Sequence, residues 1–145
     1  MIDWRRCCTT CPRRARAQLD GSWSILQNAG HLGDVEELWT QRVDDLRARR
    51  AVYAPADSVR CAQLAEAHQA ASSEDVLRYF AGRRAPFLAA LASADEPLQR
   101  AEAFHERLRC PMRLVDLAQF VAEHDFHHLL RIRVLRGQLG VGAGG

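Results

Sequence analysis

The sequence predicts an all-α bundle, and three observations carry that expectation. Apolar residues recur at intervals of three and four, the two-residue alternation of half-buried strands is nearly absent, and Ala, Leu, Arg and Glu dominate the composition. At 145 residues the chain suits one domain able to bury most of the surface its unfolded form exposes.

Taken in order, the first predicted helix spans roughly 12–19, with Pro12 suited to its first position, and stops at the Asp20-Gly21 pair. In "SWSILQ", Ser24 and Gln27 have capping-box spacing and start a helix running to about Arg50. Its core stripe includes Ile25, Leu32, Trp39, Val43 and Leu46. Pro55 interrupts the pattern, and Asp57 is placed to cap a partly helical crossover through "AQLAEAHQAA". From "SSEDVLRYF" onward, Leu77, Phe80, Phe87, Leu88 and Leu91 define a third long helix, which Pro86 is expected to kink or restart. The last helix is expected to begin at "CPMRLVD", with Pro111 in its first turn, and to continue to about Arg136. The glycine-rich residues 137–145 read as a disordered tail.

Composition narrows the function classes. The net charge is +2, every basic residue apart from histidine is arginine, and no basic groove-binding helix with interleaved aromatics appears, so nucleic acid is not an expected partner. No run approaches the ~18 apolar residues of a membrane span, and "MIDWRRCCTTCPRRARAQ" lacks the apolar core of a signal peptide. These features predict a cytoplasmic protein with no membrane partner. Five cysteines make a poor disulfide framework, three of them being crowded into "CCTTC". Cys8 and Cys11 have C-x-x-C spacing, but no second pair completes a four-ligand site, so Cys7, Cys8 and Cys11 read as incidental thiols.

Chemistry concentrates in "AEHDFHHLLRI", residues 122–132. Leu114, Leu117, Val121, His124, His128 and Leu135 advance by three, four, three, four and seven, which puts His124 and His128 on the core stripe and His127 on its flank. Two inward imidazoles need hydrogen bonds or a metal ion, because burial strips them of water. Alone, an H-x-x-x-H pair suits hydrogen-bonded core histidines better than a metal site. His31 tips that balance, since His31, Val35 and Leu38 share one inward face of the second helix. Three imidazoles on two helices would leave a divalent ion with open positions. His68, in the crossover, and His105, in the charged "FHERLRCP", are expected to be solvated. Asp34 and Glu123 are the candidate general bases, although each is expected on a solvated helix face.

Two stretches together resemble the DinB-like family, named for DNA-damage-inducible proteins and including thiol-dependent transferases. "WSILQNAGHLGDVEELWTQRVDDL" (23–46) resembles the family's W-S-x-x-E/Q-x-x-x-H-L opening, and "HERLRCPMRLVDLAQFVAEHDFHHLLRI" (105–132) resembles its closing H-D-x-H-H signature. The resemblance implies a four-helix bundle of up-down-down-up topology and a metal held by His31, His124 and His128. Gln27 stands where many members carry Glu and is not carried over as a ligand; Asp125 and His127 match the signature without an implied role. The departure is amino-terminal, where the basic "RRCCTTCPRR" replaces much of a full-length first helix. The expected organisation is a short basic cysteine-containing segment at 1–22 with a partial first helix, a bundle domain at 20–136 and the tail at 137–145. An incomplete bundle wall would favour a homodimer, which the family also shows.

The implied function is a metal-dependent thiol S-transferase or hydrolase acting on a small molecule. Its metal would be zinc or nickel, with iron or manganese as alternatives, and a low-molecular-weight thiol would be a cofactor or partner. The competing expectation is a non-catalytic stress-response or interaction protein whose metal is structural or absent. Access separates them: an enzyme needs the ion beside an open pocket, whereas a structural ion is closed off and four-coordinate.

Overall fold

The computed structural model describes residues 12–140. Within them α1 (Pro12–Ala15) is followed by α2 (Ile25–Asp34), α3 (Glu36–Arg47), α4 (Ser58–Ala67) and α5 (Ser73–Ala92). Then come α6 (Glu96–Gln99), the strands β1 (Glu102–His105) and β2 (Cys110–Arg113), and α7 (Leu114–Gln138). The long helices form the four-helix-bundle fold, to which the hairpin is a small addition. The cysteine-rich C-x-x-C stretch and the last five residues of the expected tail lie outside the described residues.

Local chemistry explains the helix starts. Ser24 Oγ accepts from the Gln27 backbone N–H at 3.2 Å while Gln27 Oε1 accepts from the Ser24 N–H at 2.9 Å, completing the expected capping box. Asp57 caps α4 by accepting from Arg60 N–H at 2.9 Å, and Ser72 caps α5 by accepting from Asp75 N–H at 3.1 Å. The helix expected from Ser24 to about Arg50 is instead two segments joined at Val35. Helical hydrogen bonds still bracket the joint, from Val35 N–H to His31 O and from Trp39 N–H to Val35 O. In α5, Pro86 neither ends nor restarts the helix. Both Pro86 and Gly82, whose carbonyl loses its usual partner, are exposed, so water can satisfy the orphaned group.

Two expectations fail at the ends of the bundle. The first helix is shorter than 12–19, since regular helix stops at Ala15. Residues 110–113 pair with 102–105 in an antiparallel hairpin, Phe104 opposite Pro111 and His105 opposite Cys110, so α7 begins at Leu114 instead of at Pro111. Proline is tolerated at position 111 because β2 is the edge strand of the pair, with one side unpaired among the described residues. The hairpin is fastened to the loop after α3 by Phe104 N–H to Ala51 O and Tyr53 N–H to Phe104 O, and by Tyr53 O–H to Met112 O at 3.0 Å.

The main core joins Trp39, Val43 and Leu46 of α3 to Phe87 of α5 and to Leu114, Leu117 and Val121 of α7. A second cluster of Ile25, Ile132 and Leu135 clamps α2 to the far half of α7. Two glycines of α2 permit close helix approach. A Cβ on Gly30 would stand 2.2 Å from the His68 ring, and one on Gly33 would stand 2.6 Å from the Tyr79 ring. The result brings α2 against α4, α5 and α7 together.

Candidate metal site

The capping box at Ser24 sets the phase of α2, and His31 two turns later projects inward between Trp23 and α7; it is 7% exposed. His124 and His128 meet it from successive turns of α7. The ring centroids are 5.3 Å apart for His31 and His124 and 4.7 Å apart for each pair that includes His128. One nitrogen from each ring lies within 4.8 Å of the others. Bonds of ~2.0–2.1 Å to a single ion need nitrogens roughly 3–3.5 Å apart, a contraction that small side-chain rotations supply.

The donor set fits a divalent cation. His31 Nδ1 is buried without a hydrogen-bond partner, an orphan that a Lewis acid would satisfy. His128 Nδ1 lies 2.9 Å from Asn28 Oδ1. Asn28 is itself oriented, because its Nδ2 donates to the carbonyls of Trp23 (3.1 Å) and Ser24 (2.8 Å) and leaves only Oδ1 to face the imidazole. His128 is thereby held with its proton on Nδ1 and a lone pair on Nε2. Burial, reinforced by His124, lowers the His31 pKa to about 4 despite the opposing charge of Asp34. Burial and then the neighbouring His124 and His31 lower His128 to about 3. Both rings are therefore neutral at pH 7, the form in which imidazole binds metal.

A charged network stands behind His124. Asp125 Oδ1 is 3.8 Å from His124 Nδ1, and Asp125 Oδ2 is 2.7 Å from Arg84 Nη1. Arg84 Nε in turn donates to the buried Glu36 at 2.6 Å. Burial pushes the Asp125 carboxyl up, but His124 and Arg84 outweigh it and hold the group below its ordinary range. The anion faces His124 while Arg84 and Glu36 fix its position.

Several residues do not sit where the sequence suggested. Asp34 is not on a solvated face: its side chain is fully buried, 2.9 and 3.1 Å from His68 Nε2 and accepting from Tyr79 O–H at 3.1 Å. His68 is likewise no solvated loop residue, because the glycine at position 30 lets its ring settle on α2. His105 is only 4% exposed, drawn inward by the hairpin. Glu123 does remain exposed and bonds Gln119, and His127 stays on the outer flank beside His128. Gln27 serves as the cap and as a buried acceptor for Gln18 and Gln69. Asn28 escaped sequence reasoning, although its place three residues before His31, on the same face of α2, was an available signal.

His31 and His124 open onto a cavity of about 850 Å³ whose walls include Trp39, Tyr53, Cys61 and Phe120. Burial pushes the Cys61 thiol up, so it remains protonated at neutral pH. Trp39 packs edge-on against both His124 and Phe120, giving the imidazole end of the cavity a rigid apolar flank.

A helical bundle carrying three convergent histidines beside an open cavity has the make-up of a metal-binding bundle protein. The sequence profile of the DinB superfamily matches residues 7–132, and the chain belongs to that superfamily. No match is found among curated protein sequences. Among solved structures, the chain is similar to YfiT from Bacillus subtilis, described as a probable metal-dependent hydrolase with an unusual four-helix bundle topology. The TM-score is 0.78 at 17% identity, covering 94% of this chain and 78% of that one, a likeness of fold. Among the described residues no helix is long and apolar enough to cross a membrane.

Proposed function

We propose that this chain is a metal-dependent hydrolase of small molecules, with His31, His124 and His128 as ligands to one divalent ion. The supporting observation is access: two of the three imidazoles form part of the wall of an 850 Å³ cavity, where a purely structural ion would be enclosed. Zinc and nickel suit a three-imidazole set. When bound, such an ion lowers the pKa of a water ligand or holds a thiol as thiolate, supplying a nucleophile near neutral pH.

The chain's own residues prepare that site. Asn28 holds the His128 tautomer, Asp125 places negative charge beside His124, and Trp39 with Phe120 supplies an apolar wall on one side. Neither nearby carboxylate is free to act as a base, since Asp34 is committed to His68 and Tyr79, and Asp125 to Arg84. Transfer to a low-molecular-weight thiol would use the same ligands and differs only in the incoming nucleophile.

Purified protein is to be loaded with Zn²⁺ or Ni²⁺, analysed for metal content and assayed on a panel of small esters and amides, with and without an added thiol. About one ion per chain and hydrolysis that chelator abolishes and metal restores are the expected results. A wild-type protein that retains no stoichiometric metal after loading would overturn the reading.

A further inference from the structure

The cavity has a second pole, formed by Arg42 of α3 and His105 of β1, each of which has only part of its hydrogen-bonding capacity met within the described residues. Arg42 is 3% exposed, yet its one intramolecular hydrogen bond runs from Nε to Ala54 O at 3.2 Å. Among the described residues no carboxylate is paired with it. The nearby buried carboxylate Asp45 accepts from Ala54 N–H and Gln41 and pairs with Arg50. The guanidinium is held flat by Trp39 and Tyr53, with Cζ 5.3 and 5.7 Å from their ring centroids. His105 Nδ1 accepts from Leu108 N–H at 3.2 Å, which places the proton of the neutral ring on Nε2, and that atom is buried without a partner. Both residues line the same cavity as His31 and His124.

Of the acidic residues on the cavity wall, Glu106 next to His105 is exposed to solvent and the other three are already engaged. Asp34 is bonded to His68 and Tyr79, Glu37 pairs with Arg83 and Arg60, and Asp57 caps α4. Donors without a protein partner therefore gather at this pole: His105 Nε2 and Trp39 Nε1 are buried and unpartnered, and Arg42 has no ion-pair partner among the described residues. Asp45 acts on Arg42 only at a distance, and a buried cation without a directly paired carboxylate is costly, as is a neutral N–H buried without an acceptor.

We propose that Arg42 and His105 form a carboxylate-binding subsite, so that the substrate is an organic carboxylate anchored there with its reacting group toward the three imidazoles. The assignment of a reacting group rests on the hydrolase reading; the anion subsite itself does not. One guanidinium and one neutral imidazole N–H form a planar donor set that matches a carboxylate. Arg107 on the same wall adds a second positive charge that acts on both, and the adjacent Glu106 opposes it. The formal balance therefore stays near one positive charge and leaves a phosphate dianion under-neutralised. Trp39 separates the poles, its ring 5.5 Å from His124 and 5.3 Å from Arg42 Cζ, so a small molecule can span them. Its aromatic face, with Phe120 nearby, also suits an apolar body between the anion and the reacting group.

The test uses metal-free full-length protein, so that the ion cannot be the anchor. Binding of 4-fluorobenzoate, its neutral analogue 4-fluorobenzamide and inorganic phosphate is measured, the first two by fluorine NMR and the last by competition. The benzoate is expected to bind saturably and at least about tenfold more tightly than the amide or phosphate. Arg42→Met is expected to weaken benzoate about tenfold or more, and His105→Phe, which keeps a ring but removes the donor, about threefold or more. If Arg42→Met does not fold, His105→Phe and the benzoate-to-benzamide ratio carry the test. Equal binding of benzoate and benzamide, preference for phosphate, wild-type affinity in the folded variants, or benzoate binding that requires added zinc would each overturn the subsite. A protein that holds no metal but shows the expected benzoate pattern would remove the hydrolase reading and leave the subsite standing.

Discussion

The two ends of the cavity solve opposite electrostatic problems with the same residue type. At the α2–α7 end, His31 and His128 are neutral, and Asn28 takes the one imidazole proton that would otherwise obstruct a lone pair. At the hairpin end, His105 is turned the other way: a backbone N–H occupies its acceptor, and its Nε2 proton is left buried without a partner on the wall it shares with Arg42. The first end collects lone pairs and suits a cation, whereas the second collects N–H donors and suits an anion. A histidine's function here is set by which of its two nitrogens the surrounding backbone or amide engages.

The most damaging change to the cation end is loss of an imidazole. His31→Ala and His128→Ala are each expected to abolish stoichiometric metal in elemental analysis while the benzoate site is kept, since Arg42 and His105 touch neither residue. Loss of both properties in either variant would show that the two poles are not independent.

Acid should discharge the cation end next. The folded-state pKa of His31, about 4, lies below its ordinary 6.5, so the unfolded chain takes up the proton first. The stability contribution is fully present above 6.5 and is lost as pH falls from 6.5 toward 4, by roughly 3 kcal/mol from this group alone. Chemical denaturation of metal-free protein at stepped pH checks the sign; in His31→Phe the slope over that window should be shallower.

Gly30→Ala acts where α4 packs on α2, behind the cavity-lining Asp34. The added Cβ would meet the His68 ring and displace it from Asp34, at an expected cost of about 1–3 kcal/mol read from denaturant midpoints. Asn28→Ala is subtler, because it removes the acceptor that fixes the His128 tautomer but keeps all three imidazoles. A competition titration should show metal affinity reduced by about 10–100-fold with the fold retained. The smallest effect is expected at the hairpin, where Tyr53→Phe deletes the bond to Met112 O and should cost about 1 kcal/mol, leaving metal affinity unchanged.

Legibility in the sequence divides along the same line. The convergence of residues 31, 124 and 128 could be read because each lies on a long helix whose core stripe has a fixed period, so phase alone says which side chains face inward. Residue 127 was separable from 128 on the same grounds. The caps at Ser24 and Asp57 were legible too, being contacts within a few residues. The hairpin was not: "EAFH" and "CPMR" are four residues each, too short for alternation to register, and Pro111 resembles a helix start. His105 was consequently assigned to solvent. Asp34 was misplaced because it lies at the end of α2, where helical phase alone did not reveal the approach of α4 and α5 permitted by Gly30 and Gly33.

What the sequence by itself determined is the helical bundle, the phase of α2 and α7, and hence the three imidazoles that face one another. Those features follow from periodicities and caps spanning a few residues. What only the tertiary structure decided is the partner of each polar group: Asn28 on His128, Asp34 on His68, and the unmatched donors of Arg42 and His105 across the cavity. Such pairings join residues distant in the chain, and burial makes each of them consequential because water no longer competes to satisfy the group.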